Sequence, residues 1–264
     1  MTFNTHDQVL DSPTNVFATL NVLDKKYGTG SFSDGNLTGE TTSSGVGRFT
    51  SSIRPTTGKY YCEFYIINVN RFSVGIENSK MGSGQGGLDE NSIILFYTGE
   101  GYHNSTIYSN YSSSFANGNI IGVALDLDNK NIFISINGTY ANSATLTEIQ
   151  NGTTTNSLNA YCSVTQNTLF NGNIGIFFED NSTTDITSAV ANFGVDSSFS
   201  GNKTTGSAYA TDSGGIGDFY YSPPNAFKAL CTANLPDPEI DPNKDDLPED
   251  YFKAAIWTGD GSNP

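Results

Sequence analysis

The side chains that could perform acid–base or nucleophilic chemistry are few in this chain. It has two histidines, His6 and His103. A Ser-His-Asp triad would have to use His103 as its base, yet the Gly-x-Ser-x-Gly turn that often presents such a serine occurs nowhere in the sequence. We therefore expect no catalytic triad.

Paired carboxylates are the other common catalytic device in all-β proteins. A glycosidase needs two of them facing one cleft, about 5–10 Å apart. The glucanase pattern Glu-x-Asp-x-x-Glu is absent. Glu179 and Asp180 directly follow a predicted strand, and adjacent residues in extended backbone point to opposite faces. We expect both to be solvated at a loop, which leaves a jelly-roll glycoside hydrolase as the weakest functional alternative.

The sequence also offers no metal or redox motif. The three cysteines, Cys62, Cys162 and Cys231, are widely spaced, and Cys62 lies in an alternating run that predicts a buried thiol. Residues 126–130 begin like a calcium-binding loop, but Lys130 stands at a ligand position and the closing Glu is missing, which favours a hairpin turn. We predict no cofactor and no bound metal.

A glycine-rich stretch at residues 78–92 matches the letters of a dinucleotide fingerprint. Gly82, Gly84 and Gly87 have the Gly-x-Gly-x-x-Gly spacing. The fingerprint requires a following helix and an acidic residue about 20 positions on, whereas this stretch leads into the apolar strand pattern 93–97. We interpret it as a flexible loop of a β-sandwich.

The element that organises the chain is a hairpin predicted at residues 117–138. Two runs of alternating apolar residues flank the polar turn 128–131. The large apolar residues are Ile121, Val123, Leu125 and Leu127 in the first run and Ile132, Ile134 and Ile136 in the second. Further strands are predicted at 17–20, 48–53, 59–67, 73–76, 93–97, 160–164 and 174–178.

Composition agrees with an all-β protein and limits its partners. The chain has 28 glycines, 14 tyrosines and 17 phenylalanines in 264 residues. Its 27 acidic residues outnumber 12 Lys and Arg, for a net charge of −15, so no basic patch for nucleic acid or an anionic membrane is expected. The sequence starts with no signal peptide pattern and contains no apolar run long enough to span a membrane.

Four pieces of the chain, in order, resemble the SPRY domain. The hairpin is similar to its signature run, with Asn119 where the family usually has Asp. Residues 58–64 resemble the early aromatic strand that ends in Glu, residues 73–76 the next strand, and residues 191–194 the closing Asn-Phe-Gly. The resemblance implies an antiparallel SPRY-type β-sandwich (a concanavalin-like jelly roll) that binds a partner without catalysis.

The flanking segments resemble extensions of SPRY modules in phage and other virus tail-type proteins. On this basis residues 1–235 form the sandwich with its terminal extensions, around a signature region 58–194. An acidic, proline-rich linker follows at 236–250, and residues 251–264 start a further module or a docking strand. The resemblance implies a virion protein, such as a tail fibre or surface appendage, assembled in the host cytoplasm.

The region 98–117 is the predicted recognition surface. Tyrosine gives a large contact area at a low cost in conformational entropy. Our candidate ligand-binding residues are Tyr102, His103, Tyr108 and Tyr111, and we expect nothing to bury Tyr108 and Tyr111. The alternative is that these aromatic side chains pack on the sandwich.

The expected partners are other virion subunits and a host-surface ligand, either a glycan or a protein. We favour the glycan because tyrosines and amides suit sugar rings and hydroxyls. The alternative is a capsid or tail decoration module that contacts only other virion proteins. A homo-oligomer is compatible with both.

The shift to an acidic, proline-rich composition after residue 235 generates a prediction. Limited proteolysis should cut between Leu235 and Tyr251 and leave a folded core, because such a segment has little to bury. Mass spectrometry of the fragments and a melting curve of the product check it. Loss of the cooperative melt after that cut would show that the tail is integral to the domain.

Overall fold

The protein is described from a computed structural model that covers residues 10–24, 28–42, 46–204 and 210–237. His6, most of the predicted linker and the segment 251–264 lie outside the described residues. The strands are β1 (Gly30–Ser33), β2 (Thr38–Thr41), β3 (Gly47–Thr50), β4 (Lys59–Asn68), β5 (Phe72–Asn78), β6 (Ser92–Phe96), β7 (Gly101–His103), β8 (Thr106–Tyr108), β9 (Ile120–Asp126), β10 (Asn131–Ile136), β11 (Thr139–Tyr140), β12 (Ile174–Asp180), β13 (Ser188–Asn192) and β14 (Lys228–Ala229). Three short helices, α1 (Leu146–Asn151), α2 (Leu158–Tyr161) and α3 (Gln166–Leu169), lie between β11 and β12.

The strands form two sheets that pack face to face. One has the order β1-β2-β13-β4-β9-β10-β11, with β14 added beside β4, and the other has the order β3-β12-β5-β6-β7-β8. Every pairing is antiparallel except that of β14 with β4. The predicted antiparallel β-sandwich is confirmed.

Aromatic rings join the two sheets at the centre of the core. Phe178 of β12 stacks on Phe49 and Phe72 of its own sheet, at centroid distances of 4.8 and 5.6 Å. It also meets the edge of Phe64, which comes from β4 of the facing sheet, at 5.7 Å. All four rings are buried. Successive side chains of a strand point to opposite faces of the sheet. The position of each ring in its strand therefore places it on the face that packs against the other sheet.

The predicted hairpin is confirmed as β9 and β10, which lie between β4 and the short strand β11 in the larger sheet. Leu125 pairs with Ile132 in the register, and the turn is held by the Asp126 carboxylate. That carboxylate accepts hydrogen bonds from the Asn129 backbone N–H (3.0 Å) and side-chain amide (2.9 Å), and it pairs with Lys59 at 2.9 Å. Asp126 therefore acts as a turn residue, as predicted.

Two segments outside the sandwich cover its outer faces. Residues 210–235 lie on the larger sheet, where the Phe219 ring meets Tyr61 at 5.2 Å. Over the smaller sheet lies the glycine-rich loop, in which the Gly86 N–H donates to the Glu179 carboxylate at 2.9 Å. Arg48 bridges the Gly84 carbonyl oxygen and the same carboxylate. The loop thus binds an internal carboxylate and is anchored, where the sequence predicted a flexible loop.

Two predicted elements differ in the structure. Residues 160–164 do not form a strand, because α2 spans Leu158–Tyr161 and is capped by the Ser157 hydroxyl, which accepts from the Ala160 N–H at 3.2 Å. Leu158 and Cys162 are four residues apart and both are buried. This spacing puts two residues on one face of a helix, but it also puts them on one face of a strand. Residues 17–20 make two isolated bridges, one at Phe17 and one at Leu20, in place of a strand.

The expected solvation of Glu179 and Asp180 is also wrong. Both side chains are buried at the end of β12. Glu179 pairs with Arg48 at 3.1 Å, and Asp180 accepts from the Thr41 hydroxyl at 2.8 Å on the opposite face. Their opposite orientation follows from strand geometry, but the partners come from residues more than a hundred positions earlier in the chain.

The position of the hairpin generates a stability prediction. Truncating Leu125 or Ile134 to Ala should lower the free energy of unfolding by about 2–5 kcal/mol, because each leaves a cavity in a close-packed core. Urea denaturation measures the change. Leu23→Ala is the control, since Leu23 is 89% exposed and should have an effect of about 0.5 kcal/mol or less. Losses below about 1 kcal/mol for both core variants would contradict the central role of the hairpin.

Candidate ligand-binding cleft

A polar cleft opens between the region after β8 and the end of the central hairpin. Its volume is about 490 Å³, which is within the range of sites for small ligands. The lining residues are Asn110–Ser113 on one side and Ile136 and Thr139–Ser143 on the other. The cleft therefore combines one wall from the predicted recognition region with one wall from β10, β11 and the turn that follows.

Two residues that line the cleft are held by the carbonyl group of Asn156. Its oxygen accepts hydrogen bonds from the Tyr111 hydroxyl (3.2 Å) and from the Asn142 amide (3.5 Å). Asn156 is held in turn by Glu148, whose carboxylate accepts from its backbone N–H and its side-chain amide, both at 2.9 Å. Glu148 also completes the capping box of α1 with Thr145. A helix start thus positions two polar groups at the cleft.

Residues in left-handed backbone conformations shape the mouth of the cleft. Asn110, Asn142 and Ser143 have φ angles of 68°, 51° and 58°. Short polar residues, asparagine above all, adopt this conformation more readily than bulky ones because their side chains bond locally to the backbone. The same residues place amides and a hydroxyl where a ligand would enter.

Tyr140 is a half-buried residue that lines the cleft. It pairs with Ser135, which lies in a cross-strand row with Gly122 and Glu63. Burial raises the pKa of Tyr140, and the nearby charge of Glu63 raises it further. The phenol is therefore neutral at physiological pH and can both donate and accept hydrogen bonds.

Glu63, at the other end of that row, is a buried carboxylate with four donors. Its two oxygens accept from the backbone N–H groups of Tyr220 (2.9 Å) and Tyr221 (2.8 Å), from the Tyr61 hydroxyl (3.1 Å) and from the Asn192 amide (3.3 Å). Burial raises the pKa of Glu63 to about 7, and the four donors oppose that shift. With no exposed surface, this carboxylate cannot touch a ligand.

The buried carboxylates of Glu77 and Glu179 are also out of reach of a substrate. Glu77 and Glu179 share the Arg48 guanidinium at 3.0 and 3.1 Å, with side chains 1% exposed or less. Burial raises the pKa of Glu179 to about 7, while the charge of Arg48 and the Gly86 N–H lower it. Within the described residues, no group of three or more His, Cys, Asp and Glu side chains is placed to hold a metal ion.

The four predicted site residues occupy different places. Tyr111 lines the cleft but is only 2% exposed, so the expectation that nothing buries it is wrong. Its ring packs in the core and meets Tyr161 at 5.3 Å. The local sequence lacks alternation, yet a long-range hydrogen bond to Asn156 fixes the side chain. A role for Tyr111 in ligand binding stays a prediction.

The other three predicted site residues lie on β7 and β8. Tyr102 is half-buried, and its ring stacks on Phe96 at 5.5 Å. His103 is buried, and its Nδ1–H donates to the Ser92 carbonyl oxygen at 2.8 Å. Tyr108 is half-buried against the core. None of the three lines the cleft, whereas Tyr140 and Asn142, which the sequence did not single out, do.

The comparisons with known proteins concern the fold. No family model and no curated protein matches the chain. Among solved structures it is similar to the SPRY domain of human HERC1, with 18% identity and a TM-score of 0.49 over 64% of this chain and 95% of that chain. It is also similar to stonustoxin, with 14% identity and a TM-score of 0.46 over 67% of this chain and 27% of the toxin chain. The fold is defined by the two sheets and their register.

The raised pKa of Glu63 generates a pH prediction. Its carboxyl pKa is about 7 in the folded protein against about 4.5 for the free side chain, so the folded state binds more protons between these values. The contribution of Glu63 to stability is therefore fully present below about pH 4.5 and is lost as the pH rises through about 7. The free energy of unfolding of the wild type minus that of Glu63→Gln should therefore fall by about 1–3 kcal/mol from pH 5 to pH 8.

Urea denaturation of both proteins at several pH values checks this. We compare the two proteins because the pKa of Glu179 is raised to about 7 in both, so its effect on the free energy of unfolding cancels in the difference. A gap that stays constant with pH would show that Glu63 is ionised throughout, with the four donors outweighing burial.

Proposed function

We propose that the chain is a non-catalytic binding module and that the cleft takes a host-surface glycan. The observation that carries the proposal is the lining of the cleft, in which a neutral, half-buried tyrosine lies among asparagine, serine and threonine side chains. Sugar rings present C–H groups that pack on aromatic faces and hydroxyls that pair with amides and hydroxyls. Tyr140 supplies the first contact, and Asn142 and Thr139 supply the second.

The acid–base groups favour binding over catalysis. The two carboxyl groups whose pKa is raised to about 7, Glu63 and Glu179, are buried and accept hydrogen bonds from several donors, so they cannot reach a leaving group to protonate it. The cleft lining itself contains no carboxylate and no histidine. A bound sugar would therefore meet only neutral hydrogen-bonding groups there.

A place in a virion is the second part of the proposal. It is supported by the resemblance of residues 1–235, extensions included, to modules of virus tail-type proteins. In this setting the module is carried on a tail fibre or surface appendage and meets host cells through the cleft. Immunogold labelling of intact particles with an antibody to this chain tests that location independently of any ligand.

A structural role, contacting only virion proteins, is favoured by a different surface. Ile107 and Leu88 are exposed apolar side chains near one edge of the smaller sheet, away from the cleft lining. Such side chains suit contact with protein better than contact with sugar.

The glycan proposal is tested by binding the full chain to a glycan array and measuring the hits by calorimetry. Tyr140→Ala and Asn142→Ala should each weaken binding by about 1–3 kcal/mol, since each removes a contact near the centre of the cleft. Asn104→Ala is a matched control, because Asn104 has the same left-handed backbone (φ 47°) but lies on the β7–β8 turn. Tyr111→Phe removes the hydroxyl while keeping the buried ring.

The outcomes separate the alternatives. Selective weakening by the two cleft variants supports the proposal. Equal effects of Asn142→Ala and Asn104→Ala would mean that backbone strain alone is being measured. An array without hits, together with retention of the chain on particles, would favour the decoration role.

A further inference from the structure

The smaller sheet ends at a strand whose outer edge faces solvent. β8 is the last strand in the order β3-β12-β5-β6-β7-β8, and no other strand of the described chain pairs with it. Its central residue, Ile107, is 58% exposed, and Thr106 beside it is also exposed. An uncovered edge presents backbone N–H and C=O groups that can pair with another chain.

An apolar strip continues from this edge across the outer face of the sheet. Ile107 lies opposite Tyr102, and Tyr102 lies opposite Ile94, so all three share one face of the sheet. The ring of Phe96 stacks on Tyr102. A side-chain carbon on Gly87 would lie 2.5 Å from the Tyr102 ring, so the glycine-rich loop presses directly on the strip.

The turn between β7 and β8 fixes a second exposed apolar residue beside the strip. Ser105 bonds to the loop twice, from its N–H to the Gly87 carbonyl (2.9 Å) and from its hydroxyl to the Leu88 carbonyl (2.7 Å). The Asn104 N–H donates to the Asp89 carbonyl at 3.3 Å. Leu88, 43% exposed, is thereby held next to the edge strand. The surface is formed before any partner arrives.

The charged residues between positions 81 and 129, the segment that forms this surface, are all acidic. Between Lys80 and Lys130 the chain has no lysine or arginine, while Asp89, Glu90 and Glu100 lie in or beside the loop and β7. Arg48 reaches the loop from the sheet below, but it is buried and its charge is matched by Glu77 and Glu179. A second copy of this chain would bring like charges together, whereas a cationic partner would meet opposite charges.

We propose that β8 is a docking edge for an extended segment of another protein, one in which aliphatic residues alternate with lysine or arginine. The segment adds a seventh strand to the sheet through backbone hydrogen bonds with residues 106–108. Its aliphatic side chains contact Ile107 and the half-buried Tyr102 behind it, and its net positive charge is attracted to the acidic residues Asp89, Glu90 and Glu100. None of the residues of this surface lines the glycan cleft, so either proposal can fail alone.

The test measures fluorescence anisotropy of labelled nonapeptides with the full chain. The probe alternates Lys and Val. One control peptide alternates Glu and Val, and a second keeps the lysines but replaces the central valines by Pro, which cannot pair as a strand. Only the Lys-Val peptide should bind, and hydrogen exchange should show new protection of the Ile107 amide, which points away from β7 because the two-residue turn at 104–105 makes 103/106 and 101/108 the hydrogen-bonded pairs.

Variants of the chain locate the contact. Ile107→Ser should weaken binding of the Lys-Val peptide at least about tenfold, because it removes the central apolar contact. Leu146→Ser is the matched control, since Leu146 is equally exposed (55%) but lies at the start of α1. The pair Asp89→Lys and Glu90→Lys should weaken binding and reduce its dependence on salt.

Several results would overturn the proposal. Equal binding of the Pro peptide would show non-specific attraction to an acidic chain, and equal effects of Ile107→Ser and Leu146→Ser would place the contact elsewhere. A concentration-dependent dimer that Ile107→Ser abolishes, seen by light scattering, would assign the edge to a second copy. Circular dichroism of each variant confirms that the sandwich is intact.

Discussion

The carboxylate of Glu63 is the interaction on which the covered face of the larger sheet depends. It brings together three parts of the chain, namely its own strand through Tyr61, the last long strand through Asn192, and the C-terminal segment through the amides of residues 220 and 221. A buried carboxylate without donors would be costly, so these groups must come together whenever the domain folds. Burial and donors act in opposite directions on its pKa, and the site is thus sensitive to the loss of either.

Asn192 extends this constraint into the turn that follows. Its side-chain oxygen accepts from the backbone N–H groups of residues 194, 195 and 196, at 2.8, 2.8 and 3.1 Å. Gly194 has φ +111°, and a side-chain carbon there would lie 2.9 Å from Ala229 and 3.0 Å from Phe17. The Asn-Phe-Gly run therefore has a physical meaning: an amide that caps a turn while holding Glu63, and a glycine that lets both terminal segments approach.

The sequence pattern predicts those elements whose stabilising contacts lie within one short stretch of the chain. The hairpin 117–138 was predictable because its alternation, its turn residues and its burial all lie in one short stretch. Glu63 and Asn192 were both noticed as motif residues, but their contact spans 129 residues and no pattern in the sequence connects them. The strand predicted at 160–164 is wrong because the spacing of Leu158 and Cys162 fits both a helix and a strand, and the capping hydrogen bond of Ser157 favours the helix. The position of the Tyr111 hydroxyl and that of Asn142 in the cleft likewise depend on Asn156 and Glu148, which come from another part of the chain.

The two ends of the described domain lie side by side. Ala18 donates to Leu230 at 2.8 Å, Thr232 donates to Val16 at 2.9 Å, and Ala233 donates to the Asn15 side chain at 3.1 Å. Phe17 and Cys231 form an antiparallel bridge between them. The two segments run antiparallel, so both chain ends leave the pairing at the same end. A pulling force applied through them would therefore load the hydrogen bonds one after another and would break them in sequence. Tension would then separate the terminal segments well before it reached the Phe178 core, so the module can extend under load while its sheets stay paired.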